Sequence, residues 1–143
     1  MKKKLSIPFK LVNIEETQFS VFEEVLGIDS PINQNIGVGF SVHREKRIVG
    51  TTLRFQLNKE EQPFIKIEAS CYFEIEETSF KEKLLKAKKI ILPCEFAKHL
   101  ATITTGTVRG ILYANTKNTP FNEYFLSLIN IDEMFKEDIV IDF

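Results

Sequence analysis

A change of hydrophobic period near Glu77 constrains this chain more than any other feature. Before it, apolar and polar residues alternate: Ile36, Val38, Phe40 and Val42 stand against Gly37, Gly39, Ser41 and His43. Val49, Thr51, Leu53, Phe55 and Leu57 repeat the pattern, as do Ile65, Ile67, Ala69, Cys71, Phe73 and Ile75. Period two sends one row inward and the other outward, so these are three half-buried strands. The links between them, 44–47 and 58–62, are short and polar, which makes the pairing an antiparallel meander.

The first segment is less regular. Phe9 and Leu11 are in phase, Ile14 is out of phase, and Phe19 and Val21 follow. A long strand with a bulge near Val12-Asn13 accounts for the slip. Gly27, Asp29-Ser30 and Pro31 then mark 26–34 as a connection.

Beyond Glu77 the spacing becomes helical. Thr78 or Ser79 is placed to cap a short turn through Phe80, Leu84 and Leu85. Pro93 opens a long helix, where its missing N–H does no harm. That helix carries one row of Phe96, Leu100, Ile103 and Ile111 and a second of Ala97, Ala101, Thr104, Val108 and Leu112. Gly106 and Gly110 mark either its end or a close helix-to-helix approach. A sheet face is expected to cover only one row, which assigns Ala97, Ala101, Thr104 and Val108 to a subunit interface in a homo-oligomer, a dimer or tetramer. Asn130 or Asp132 caps a short last helix through Met134-Phe135. The expected fold is α+β: a four-stranded antiparallel sheet, its long bulged first strand followed by the meander, with both helices on one face. It forms a single domain over 1–143, with the sheet in 4–77 and the helical part in 78–143.

The composition narrows the function. Across 143 residues, 19 Lys and Arg balance 20 Asp and Glu, so the basic stripe of a nucleic-acid binder is missing. No stretch approaches the run of about 18 apolar residues that a spanning helix needs, which excludes membrane insertion. Lys2-Lys3-Lys4 resembles the start of a signal peptide, but Lys10 interrupts the apolar run behind it, and two cysteines suit a reducing compartment. A cytoplasmic location is expected. His43 and His99 lack metal-ligand spacing, and Cys94, at a helix start, has no histidine partner on its own side. Cys71 belongs to a buried strand row, and Gly37-Val38-Gly39 lacks the third glycine and following helix of a phosphate loop. Nothing calls for a cofactor or metal, and no catalytic set can be assigned.

Apolar surface is what remains. The chain holds 13 phenylalanines, and the apolar residues of 21–28 and 124–129 exceed what one small domain readily covers. They form either a satellite core or an exposed groove.

The element order, from bulged strand through meander and long helix to short helix, resembles the SecB family of bacterial secretion chaperones. Phe9-Lys10-Leu11-Val12-Asn13-Ile14, with Phe19-Ser20-Val21, is similar to its first strand; Glu68, Ser70, Tyr72, Phe73 and Ile75 are similar to its last. Ile91-Leu92-Pro93 resembles the family's helix opening, and Ser127-Leu128-Ile129-Asn130-Ile131-Asp132-Glu133-Met134-Phe135 its closing motif. Leu128 stands where the family has proline, and Arg109-Gly110 matches the family's helix end only after an added turn. The resemblance implies an ATP-independent chaperone that holds unfolded or partly folded polypeptide, in some relatives for one dedicated toxin–antitoxin client. Its groove would be lined by Phe22, Leu26, Ile28, Tyr124, Phe125, Leu126, Met134 and Phe135. The family engages the translocase ATPase SecA through an acidic sheet surface. Here that surface carries Lys66, Arg54 and Glu68, so SecA is a doubtful partner. A small-molecule or lipid carrier, with an apolar pocket between sheet and helix, is the alternative.

Overall fold

The structure, a computed structural model, describes residues 6–126 and 130–142. Lys4, where the sheet was expected to begin, and Ser127, Leu128 and Ile129 of the closing motif lie outside the described residues. Strands β1 (Phe9–Val21), β2 (Ile32–His43), β3 (Ile48–Lys59) and β4 (Gln62–Ile75) form one antiparallel sheet in the order β1-β4-β3-β2. The meander is as expected, and β1 joins it beside β4.

Two bulges set the phase of β1. Its register against β4 slips between Leu11 and Asn13 and again between Glu16 and Gln18, leaving Val12 and Thr17 without partners. The first slip is the expected one. The second returns Phe19 and Val21 to the inner face, opposite Ile67 and Ile65. The Thr17 hydroxyl donates to the Glu68 carboxylate, which also takes Arg54 of β3, so one acid ties three strands on the outer face.

The segment after β4 begins with α1 (Glu77–Ser79), which runs into a π-helical turn, Phe80–Leu84. Its cap is neither Thr78 nor Ser79. The Glu76 carboxylate accepts from both the backbone N–H and the hydroxyl of Ser79. A second sheet follows, which periodicity did not indicate: β5 (Leu85–Lys86), β6 (Lys89–Leu92) and β7 (Ile139–Asp142), in the order β5-β6-β7. The stretch 78–143 is therefore mixed rather than helical. The long helix α2 (Cys94–Thr116) starts directly after Pro93 and runs unbroken through Gly106 and Gly110, which face open space. Neither glycine ends it. A 3-10 turn, Pro120–Glu123, and the short helix α3 (Ile131–Met134) lie between α2 and β7, and another 3-10 turn, Glu23–Val25, lies between β1 and β2. Among the described residues no helix is long and apolar enough to cross a membrane.

Helix α2 lies across β3 and β4 and divides the core in two. One cluster gathers Cys71, Phe73, Phe80, Leu92, Phe96 and Leu100; the other gathers Phe55, Phe64, Ile67, Val108, Phe121 and Leu126. The row expected at a subunit interface lies instead against the sheet of its own chain. Ala97, Ala101, Thr104 and Val108 are all 0% exposed within the single chain, so they have no surface to offer a partner. Their small size lets α2 settle close to the sheet, and the same face takes Phe96 and Leu100 of the other row. Buried threonines on α2 are satisfied internally: Thr104 donates to the Leu100 carbonyl at 2.9 Å and Thr105 to that of Ala101 at 2.8 Å.

Candidate binding groove

Strand β2 is the edge of the main sheet, and its inner row is covered less well than those of β3 and β4. Ile36, Val38, Phe40 and Val42 are each half-buried, the first pair packed on one core cluster and the second on the other. The chain leaving α2 passes back along this region. Arg109 donates to the Leu126 carbonyl at 3.3 Å, Lys98 pairs with Asp132 at 3.3 Å, and the Phe135 ring meets Phe40 edge-on at 5.7 Å. Lys98 and Arg109 lie about 16 Å apart along the helix axis. Leu126 and Asp132 therefore meet α2 in the reverse of its chain order. A cleft of about 330 Å³ separates the returning segment from α2, lined by Lys98, Thr102, Thr105, Arg109, Ile131 and Asp132.

The eight residues expected in the groove fall into two groups. At the end of α2 nearer Thr116, Phe22 is 38% exposed and its N–H donates to the Phe64 carbonyl. Leu26 and Ile28 are half-buried on the second core cluster, and Lys59 donates to the Leu26 carbonyl at 3.2 Å. Tyr124 is half-buried, edge-on to Phe64 at 5.0 Å. Phe125, at 58% exposure, is the most open of the eight, whereas Leu126, at 2%, is a core residue and cannot line a groove. At the other end of α2, Met134 is 36% exposed and Phe135 is half-buried on Phe40. Of the eight, Leu126 is core, Leu26, Ile28, Tyr124 and Phe135 are half-buried, and Phe22, Phe125 and Met134 are exposed.

Sequence reasoning passed over Phe40, Lys98 and Arg109. In the sequence Phe40 alternates like any inward strand residue. The available signal was that the first strand of a meander lies at its edge unless another strand joins it there. Lys98 holds its proton more tightly than a free lysine: burial opposes the charge, but its bond to Asp132, with Cys94 and Glu95 nearby, outweighs that. Burial, then Glu123, raises the Tyr124 phenol above its usual range, so it remains a neutral hydrogen-bonding group at physiological pH. The cleft beside α2 is lined by two cations, Lys98 and Arg109, and by the hydroxyls of Thr102 and Thr105.

The residues considered for chemistry sit in structural settings. Both cysteines are free thiols, Cys71 buried and Cys94 partly so. The Cys94 N–H at the start of α2 is taken by the Asp138 carboxylate at 2.8 Å, and its thiol lies 3.7 Å from the Phe135 carbonyl. His43 accepts from the Lys46 N–H, and the His99 ring packs on Phe9. Among the described residues no cluster of His, Cys, Asp and Glu is arranged to hold a metal.

No family model matches the chain, and no curated protein does. Among solved structures, the chain is similar to the Mycobacterium tuberculosis Rv1957 SecB-like chaperone, which was solved in complex with a ChAD peptide from the Rv1956 HigA1 antitoxin. That match covers 85% of this chain and 90% of the other, with a TM-score of 0.52 and 11% identity. A protein of unknown function from Streptococcus agalactiae matches over 87% of this chain and 99% of its own, at 12% identity and a TM-score of 0.41. The fold is SecB-like.

Proposed function

We propose that this protein is an ATP-independent client-binding module that holds extended polypeptide along the inner row and outer edge of β2, an edge that no other strand pairs with among the described residues. The observation that carries this reading is the character of that strand. From Ile32 to Val42 it has no charged residue, and its register against β3 is unbroken over its whole length. Natural edge strands are normally guarded by charge, proline or bulges. Edge strand β1 is guarded in that way, by two bulges and by Lys10, Glu15 and Glu16. An unguarded edge beside half-buried Ile36, Val38, Phe40 and Val42 suits strand addition, in which backbone bonds supply affinity and alternate side chains enter apolar positions. The SecB-like chaperone that shares the fold binds a peptide, which supports the same class of ligand here.

The proposal includes self-association, as a dimer or tetramer, through a surface different from the buried row of α2. Leu11 and Ile14 point to the inner side of β1 yet stay 44% and 46% exposed, because α2 lies over the central strands. Gly106, Gly110 and Tyr113 form the open side of α2. The outer sheet face pairs Arg54 with Glu68 and adds Lys66, a balance that argues against docking of SecA. The carrier reading finds no support in the packing. Ala97, Leu100, Ala101, Thr104 and Val108, all 0% exposed, fill the space between sheet and helix where a ligand would sit.

Two measurements on freshly purified protein test the function. It should suppress aggregation of a reduced, unfolded client without ATP, and native mass spectrometry should show an oligomer free of any stoichiometric small ligand. A monomer carrying one discrete ligand, with no effect on aggregation, would refute it.

A further inference from the structure

The segment that walls the groove also fills part of it. Phe135 lies edge-on against Phe40 at 5.7 Å, and Phe40 belongs to the half-buried apolar row of β2. Little holds the segment in place. Helix α3 fully buries none of its four residues, only Ile131 being half-buried, and its cap, Asn130, makes no side-chain bond to it. Besides the Phe40 contact and half-buried Ile131, its polar ties to the rest of the described residues are the Lys98–Asp132 pair, in which the Asp132 side chain is 82% exposed, and the weak contact from the Cys94 thiol to the Phe135 carbonyl. Immediately downstream the chain is firmly anchored. Asp138 caps the N-terminus of α2, β7 pairs with β6, and Ile139 and Ile141 pack onto a core cluster.

A loosely held aromatic side chain, seated on an apolar row and tethered by a strong anchor, is built to leave and return. We propose that residues 130–135 act as an internal stand-in for the client: Phe135 takes the position on Phe40 that a large apolar side chain of bound polypeptide takes, and the two exclude each other. This rests on the polypeptide-binding function proposed above. Competition of this kind lowers apparent affinity by the fraction of molecules whose groove is open. Loosening the segment therefore tightens client binding, whereas trimming a true wall of the groove weakens it. The sign of the effect separates the two roles.

The test is fluorescence anisotropy with a short fluorescein-labelled peptide in which Phe and Leu alternate with Ser and Lys. Phe135→Ala should bind about fivefold to tenfold more tightly than wild type, since the truncation removes most of the contact that keeps the groove closed. Asp132→Asn, which alters no apolar surface, should bind about twofold to threefold more tightly. Phe40→Ala should bind more weakly. If Phe135→Ala does not fold, Asp132→Asn and hydrogen exchange decide: peptide should strip amide protection from 131–135 while β7 keeps its own. Wild-type binding with no gain in either variant, or protection that rises at 131–135, would overturn the inference and leave the polypeptide-binding function standing. No binding by any of the proteins would overturn both.

Discussion

Phe125 and Leu126 are adjacent in sequence and opposite in setting, which makes them a sharp test of where the core stops. Leu126 is 2% exposed and packed in the second core cluster; Phe125 is 58% exposed. Truncating a buried leucine to alanine removes its transfer free energy and leaves a cavity, together about 3 kcal/mol. For a chain of 143 residues, that corresponds to a fall of about 10 °C in Tm. Phe125→Ala gives up only the smaller, buried part of its ring and should lower stability by less than about 1 kcal/mol, or about 3 °C. Its effect on binding should be the larger one, about tenfold weaker affinity for the alternating Phe/Leu peptide, as expected for an aromatic anchor. Tyr124→Ala should fall between the two in stability, because Tyr124 is half-buried against Phe64. Melting curves must be recorded at one protein concentration, since association shifts apparent stability by mass action. A Phe125→Ala variant that loses more than about 2 kcal/mol, or a Leu126→Ala variant that keeps its Tm and loses only binding, would refute the division drawn here.

Ala101→Glu forces a charge between helix and sheet at a cost of several kcal/mol and should unfold the protein, whereas Gly106→Glu, in open space, should leave it folded and reduce its mass in light scattering. A folded Ala101→Glu monomer would put that residue back at an interface. The Thr51 hydroxyl is buried without a partner, so Thr51→Val should raise stability by about 1 kcal/mol in urea melts; a loss would mean that the hydroxyl is satisfied. The Thr17 hydroxyl, and after it Arg54, holds the Glu68 carboxyl below its ordinary pKa. A depressed folded pKa contributes stability above the unfolded value of about 4.3 and loses it as pH falls through the folded value. Glu68→Gln should therefore cost about 0.5–1 kcal/mol at neutral pH, with a gap from wild type that narrows below about pH 4. A gap that stays constant into acid would trace the loss to packing.

Strands were legible in the sequence because each carries its own period, and so was the first bulge, since Ile14 is out of phase with Leu11. The second bulge was equally legible: Phe19 and Val21 regain the inner face only if another residue is skipped. The small sheet left no local trace. Ile90-Ile91-Leu92 and Ile139-Val140-Ile141 are too short to show a period, and they pair across the whole of α2. Nor does irregular backbone have a period from which the separate settings of Phe125 and Leu126 could be read.

The error over α2 was one of width. A helix with its side chains is about 10 Å across and neighbouring strands are about 4.8 Å apart, so one helix covers about two strands of a sheet. Both apolar rows of α2 therefore fit over β3 and β4, and the inner rows of the two edge strands are left without full cover. On β1 the consequence is Leu11 and Ile14, exposed beside an edge guarded by bulges and charge. On β2 it is Ile36, Val38, Phe40 and Val42, beside an edge with no guard and under a returning segment that fully buries none of its short helix. A sheet two strands wider than its helix must resolve both edges in some way. The protected edge suits a fixed partner, such as a second copy of the chain, because bulges and charges restrict what can pair with it. An open edge with a loosely held cover suits partners that come and go, because its backbone groups accept any extended chain and its apolar row accepts many side chains.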